Sequence, residues 1–119
     1  MKRTLGLCAG SCLFGCLTTA VLTRALPLPS TVRLENAKVK VTEVTYPPAT
    51  PRERFTRPTD QIVVFLDECR YRRTDSQSGA QAVQERKSGD VIWHNKGDDA
   101  PVLENLGTKP YRTLVIELK

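Results

Sequence analysis

The stretch Ser88-Gly89-Asp90-Val91-Ile92-Trp93-His94-Asn95-Lys96-Gly97-Asp98-Asp99 holds a turn, a strand and a second turn in one short run. Ser88-Gly89-Asp90 has the composition of a tight turn, because serine and aspartate bond to nearby backbone and glycine tolerates positive φ. Val91-Ile92-Trp93 is β-branched and aromatic, the kind of side chain that suits a pleated surface. Asn95 to Asp99 is polar again and carries a glycine, so the strand ends there.

The same rhythm extends in both directions, and no helical period is sustained over three turns. Thr31–Leu34 and Lys38–Tyr46 alternate apolar and polar residues, with Val39 and Val41 on one face, until Pro47-Pro48 and Pro51 break the run. Ile62-Val63-Val64-Phe65, within 61–66, is continuously apolar, which predicts a strand that is central or buried on both faces. Residues 70–73 and 81–86 flank the polar cluster Thr74-Asp75-Ser76-Gln77-Ser78-Gly79 and read as a hairpin. Leu106-Gly107-Thr108-Lys109-Pro110 leads into Tyr111–Leu118, whose Leu114, Ile116 and Leu118 share one face. Seven to nine short strands at this spacing predict an antiparallel sandwich or barrel, and closure removes the exposed edges that an open sheet presents.

Gly89 to Gly97, followed by Asn105-Leu106-Gly107-Thr108-Lys109-Pro110, resembles the second motif of the cupin superfamily. The run Val39–Asp67 resembles the first motif, and Tyr111–Lys119 is similar to the closing strand of small single-domain cupins. The resemblance spans residues 31–119 and implies an all-β, antiparallel jelly-roll β-barrel.

It also implies an interior where cupins often hold an iron, manganese, zinc or nickel ion between three histidines and a glutamate. Those positions fall here on Phe55, Arg57, Gln61, and Ala100 or Pro101. Asn95 stands in place of a proline, and Ala49 in place of the first glycine. Phenylalanine and alanine offer no lone pairs, arginine is fixed as a cation, and the amide of glutamine is a weak ligand. His94 is the only histidine in the chain. No metal and no other cofactor is therefore expected.

Arg57 is the most informative of these positions. Placed inside a barrel, two residues from Phe55 on the same face, a guanidinium needs an anionic partner. One reading is a small carboxylate or phosphate ligand held by Arg57, with Gln61 as hydrogen-bonding neighbour and Phe55 as an apolar wall; Trp93 is a further candidate for the pocket, core or interface packing being its plainer role. The other has Asp98, Asp99 or Glu104 as the counter-charge in a plugged interior, packed by Phe55, Phe65, Trp93 and Leu103. His94 is the weaker candidate for acid–base work, a loop anchor being the plainer role. Asp98-Asp99 with Asp60 lacks the alternating oxygen ligands of a calcium loop. Arg70, Arg72 and Arg73 around Tyr71 read as a charged edge strand that blocks unwanted pairing. Ser76, Ser78 and Ser88 lie in turns, away from any nucleophile elbow.

Residues 1–25 read as a separate targeting segment: Lys2 and Arg3 open it, and Thr4 to Thr23 carries no charge. A cleaved signal, a lipoprotein signal ending at Cys16 and an uncleaved membrane anchor all fit. Each takes the rest of the chain to the periplasm or cell envelope, by way of a Pro-rich linker at 26–30. The segment holds three cations and no acid, so the formal charge of +5 falls by three to +2 without it. That balance does not point to nucleic acid. Cys8, Cys12 and Cys16 also lie in the segment, which leaves Cys69 without an intramolecular partner in the body. The sequence thus favours an exported binding or structural module, with a metal-independent isomerase-type enzyme on a small anion as the alternative. The resemblance alone supplies the expectation of a homodimer, through strand exchange.

Overall fold

The computed structural model describes residues 27–119. Ten strands follow one another: β1 (Ser30–Glu35), β2 (Val39–Tyr46), β3 (Phe55–Thr56), β4 (Gln61–Phe65), β5 (Cys69–Thr74), β6 (Gln81–Arg86), β7 (Val91–His94), β8 (Asp99–Ala100), β9 (Val102–Asn105) and β10 (Tyr111–Leu118). One more strand forms than the upper bound read from the sequence, because the short pair β3 and β8 lies in segments that read as loops. Pro101 has no N–H to give and separates β8 from β9.

The strands form an all-β antiparallel jelly roll. A five-stranded sheet runs β1-β2-β10-β4-β7; facing it are β6-β5-β9 and the pair β3-β8. An isolated bridge between Arg52 and Leu103 joins the chain ahead of β3 to β9. The apolar run of β4 is explained by its place between β10 and β7, where neighbours cover both edges.

The β5–β6 hairpin forms as its turn composition demands. The Asp75 carboxylate accepts from the backbone N–H of Gln77 and Ser78, and Gly79 takes a φ of 74°. Gly89 and Gly97 close the turns on either side of β7 with φ of 93° and 87°. β5 is not an edge strand, since β6 and β9 pair with it on either side. Its arginines have separate roles: Arg72 lies 3.2 Å from Glu104 in an ion pair, while Arg73 turns toward the interior.

The core is small and aromatic. Tyr46, Val63, Phe65, Tyr71 and Tyr111 form it, with Leu28, Cys69 and Leu103 packed alongside. Tyr46 and Tyr111 face each other across β2 and β10, their rings 4.7 Å apart and 3° from parallel. Leu28 contacts this cluster and the Pro29 carbonyl accepts from Thr45 N–H, so the Pro-rich segment joins the barrel at its end. Asn105, 3% exposed, ties the floor together: Nδ2 donates to the carbonyls of Tyr46 and Lys109, and Oδ1 accepts from Gly107 N–H. Residues 1–26, with the proposed targeting segment, lie outside the described residues.

Candidate binding site in the barrel interior

The interior is open. Between the sheets lies a cavity of about 770 Å³, a size that suits a small organic ligand. The register of the five-stranded sheet arranges its lining in rows. Lys40, Glu117, Gln61 and His94 lie side by side across β2, β10, β4 and β7. The next inward row is Thr42, Val115, Val63 and Ile92; then come Val44, Thr113 and Phe65, and last Tyr46 and Tyr111. One end of the cavity is therefore polar, the middle aliphatic and the far end aromatic.

Arg57 joins the polar row from the opposite side. Its backbone continues the β3–β8 pairing, donating to the Asp98 carbonyl at 2.9 Å and accepting from Gly97 N–H at 2.9 Å. The side chain is 6% exposed and Gln61 only 2%. Nη1 donates to Gln61 Oε1 at 3.0 Å, while Nε is buried with no acceptor. The guanidinium lies 5.6 Å from the centroid of Phe55, and that of Arg52 lies 5.2 Å from the same ring. Burial first, and the Arg52 charge second, hold the Arg57 pKa below its ordinary value.

The acids weighed as counter-charges have other partners. Asp99 pairs with Arg54, Glu104 with Arg72, and Asp98 Oδ2 accepts from the Asn95 N–H. Among the described residues no carboxylate forms an ion pair with Arg57. Asp60 accepts from the Lys96 N–H, and among the described residues Asp60, Asp98 and Asp99 do not gather into a cluster that could hold a calcium ion.

The structure brings Phe55, Arg57, Gln61 and His94 to one cavity and sends Trp93 elsewhere. Alternation along β7 decides this: Ile92 and His94 point inward, so Trp93 points out, 51% exposed, with Nε1 donating to Asn95 Oδ1 at 2.8 Å. Trp93 is thus not a wall of the site. Phe55 remains 39% exposed at the rim of the cavity. His94, opposite Gln61, is half-buried; burial and then the Arg57 charge lower its pKa below 6.5.

Several lining residues escaped the sequence reading. Arg52 donates from Nη1 to Tyr46 Oη at 3.2 Å and from Nη2 to the Pro101 carbonyl. Arg86 donates to Tyr71 Oη at 3.4 Å and lies over Phe65. Thr113 Oγ1, beside Phe65, is buried without a partner. Tyr111, the most deeply placed of the tyrosines, has its phenol pKa pushed up by burial. The available signal was the polar face of β10, Thr113 and Glu117, which lines the cavity instead of facing solvent.

The positions that the cupin pattern gives to metal ligands converge here in space, since Phe55 pairs with Ala100 and Arg57 bonds Gln61. Their chemistry does not fit a metal. A cation placed among them would face the Arg57 charge, and the Gln61 oxygen already accepts from Arg57. No trio of histidine, cysteine or acidic side chains clusters with metal-binding geometry among the described residues. Cys69 is half-buried, and burial pushes its thiol up to about 11.

No protein-family model and no curated protein matches the sequence. Solved structures do resemble it. A cupin domain from Bordetella pertussis Tohama I is 20% identical, with a TM-score of 0.69 over 81% of this chain and 97% of that one. A Klebsiella pneumoniae protein with a double-stranded β-helix domain is 18% identical, with a TM-score of 0.59 over 77% and 76% of the two chains. A polyketide cyclase from Streptomyces resistomycificus is 13% identical, with a TM-score of 0.61 over 75% and 63%. Identities this low speak to architecture and leave chemistry to the site itself. The sheet order, the facing sheets and these likenesses together identify the barrel as a cupin fold, the double-stranded β-helix.

Proposed function

We propose that this protein is an exported binding module whose barrel interior takes up a small organic carboxylate, with Arg57 as the anion anchor. One observation carries the reading: a guanidinium 6% exposed, beside an open cavity, without an ion-paired acid and with a free N–H. Desolvating a charge costs several kcal/mol, on the order of a whole domain's stability margin, unless a partner compensates it. A bound carboxylate supplies that partner and offsets the repulsion from Arg52. The aliphatic and aromatic rows beyond the polar end favour a ligand with an apolar body over a bare inorganic anion. The uncharged run from Thr4 to Thr23 supports export.

Thermal-shift measurements with benzoate, phenylacetate, succinate and inorganic phosphate test the ligand class on wild type and Arg57→Met. The aryl carboxylates raise the wild-type melting temperature and leave the variant unmoved. If none of the four shifts wild type selectively, the reading is wrong.

A second reading is acid–base chemistry on the same ligand, favoured by His94, which faces the cavity beside Gln61 with a lowered pKa. A neutral imidazole is able to take a proton from a carboxylate-bearing substrate held at Arg57. His94→Asn would then abolish turnover while ligand binding persists.

A further inference from the structure

Arg52 repeats the condition of Arg57 at a second place in the same cavity. Its guanidinium lies against the Phe55 ring as that of Arg57 does, and its Nε is likewise buried without an acceptor. The ion pairs among the described residues engage Arg33, Arg54, Arg72, Arg112 and Lys119, so neither guanidinium at Phe55 has an acid of its own. Different parts of the cavity hold the two. Arg57 is bonded to Gln61 in the polar row, whereas Arg52 is bonded to Tyr46 Oη, from the aromatic row, and to the Pro101 carbonyl. The imbalance extends to the whole lining. Lys40, Arg73 and Arg86 join these two cations, against Asp98, Asp99 and Glu117, and Asp99 is taken by Arg54 outside the lining. A ligand with one negative charge would meet Arg57 and leave Arg52 as it was.

We infer that the ligand is a dicarboxylate, with one carboxylate for Arg57 and a second, on the same short apolar body, for Arg52. The inference rests on Arg57 as the anion anchor and adds a second contact to it. Like charges repel strongly where water is excluded, and the Arg52 charge contributes to lowering the Arg57 pKa. Two negative charges, one at each guanidinium, relieve that repulsion more completely than one. Each free Nε offers an N–H, and a carboxylate oxygen completes it as a charge-assisted bond. A single doubly charged centre such as a phosphoryl group matches less well, because the bonds to Tyr46 and Gln61 tie the two guanidiniums to opposite ends of the lining. Val63 and Val115, in the row between those ends, suit the body that separates the two carboxylates.

Isothermal titration of the full chain with two matched acids tests this. Phenylsuccinate and hydrocinnamate share an aryl body and differ by one carboxylate, and both are ionised at neutral pH. Wild type should bind phenylsuccinate at least about tenfold more tightly, as one added charge-assisted contact demands. Arg52→Gln keeps a hydrogen-bond donor and loses the charge, and the advantage should shrink to less than about threefold. Arg57→Met should weaken both acids. Equal wild-type affinities overturn the second contact and leave the Arg57 anchor standing, whereas failure of both acids to bind removes the anchor and this inference with it. An advantage that Arg52→Gln preserves also overturns it, as does phenyl phosphate binding as tightly as phenylsuccinate. Should Arg52→Gln fail to fold, the wild-type comparison decides alone.

Discussion

Arg57 and Gln61 are joined by a single hydrogen bond of 3.0 Å that satisfies one edge of a guanidinium and leaves its Nε without an acceptor. A neutral amide is a poor substitute for a carboxylate beside a buried cation. The apoprotein therefore buries a cation that no ion-paired acid meets, and the carboxylate of the proposed ligand would supply that partner.

Replacing Arg57 with methionine, of comparable length but without charge, should stabilise the empty barrel. The gain is about 1–2 kcal/mol, the range seen when poorly compensated buried ions give way to apolar groups. At this size about 4–8 °C of melting temperature corresponds to each kcal/mol. Calorimetric melting in ligand-free buffer measures it, and a variant that melts lower than wild type would show that Arg57 is already compensated.

His94 gives the barrel a pH dependence of definite sign. Burial and Arg57 lower its pKa in the folded protein, so the unfolded chain binds the proton more readily. Stability is expected to be level above about pH 6.5, the unperturbed value, and to fall as pH drops below it toward the folded pKa. His94→Gln removes that slope, and Arg57→Met shifts the histidine's titration upward. Proton NMR of the single imidazole reads both; a folded pKa at or above the unperturbed value is the contrary result.

Asn105 organises the floor through bonds to Tyr46, Lys109 and Gly107. Asn105→Ala strands a buried carbonyl and frees the turn, at a cost of about 2–3 kcal/mol. Urea denaturation should show this loss with an unchanged slope. A loss well under 1 kcal/mol would mean that water takes over the bonds.

Much of the fold was legible because turn chemistry is local. Gly89 and Gly97 adopt the positive φ that their turns require, and the hairpin from Arg70 to Arg86 stands where Asp75 and Gly79 signal it. Ala49, read as standing in place of a glycine, does adopt a φ of 55°. The site was legible in part. Arg57, Gln61 and Phe55 are close in sequence and share an inward face, whereas Arg52, Arg86 and the tyrosines reach the cavity from strands whose pairing no local signal fixes. Trp93, a candidate for the pocket, lies outside it because a pleated strand sends it and the inward-facing His94 to opposite faces. The edge reading of Arg70–Arg73 failed for a similar reason, since β9 arrives from thirty residues away in sequence to pair with β5.

The left-handed backbone at Ala49 supplies a fourth test. A Cβ in that region costs roughly 1–2 kcal/mol, partly offset by the extra freedom that glycine has when unfolded. Ala49→Gly should therefore stabilise the protein by about 0.5–1 kcal/mol, read as a shift in the denaturation midpoint. A destabilised variant would place the strain elsewhere.

Isothermal titration of phenylacetate into wild type and Arg57→Met bears most directly on the anion anchor. Wild type should bind one equivalent per chain, and the variant should bind at least about tenfold more weakly, as loss of a charge-assisted contact demands. Equal affinities in the two proteins, or wild-type affinity undiminished when benzyl alcohol replaces the acid, would contradict a role for Arg57 in holding the carboxylate.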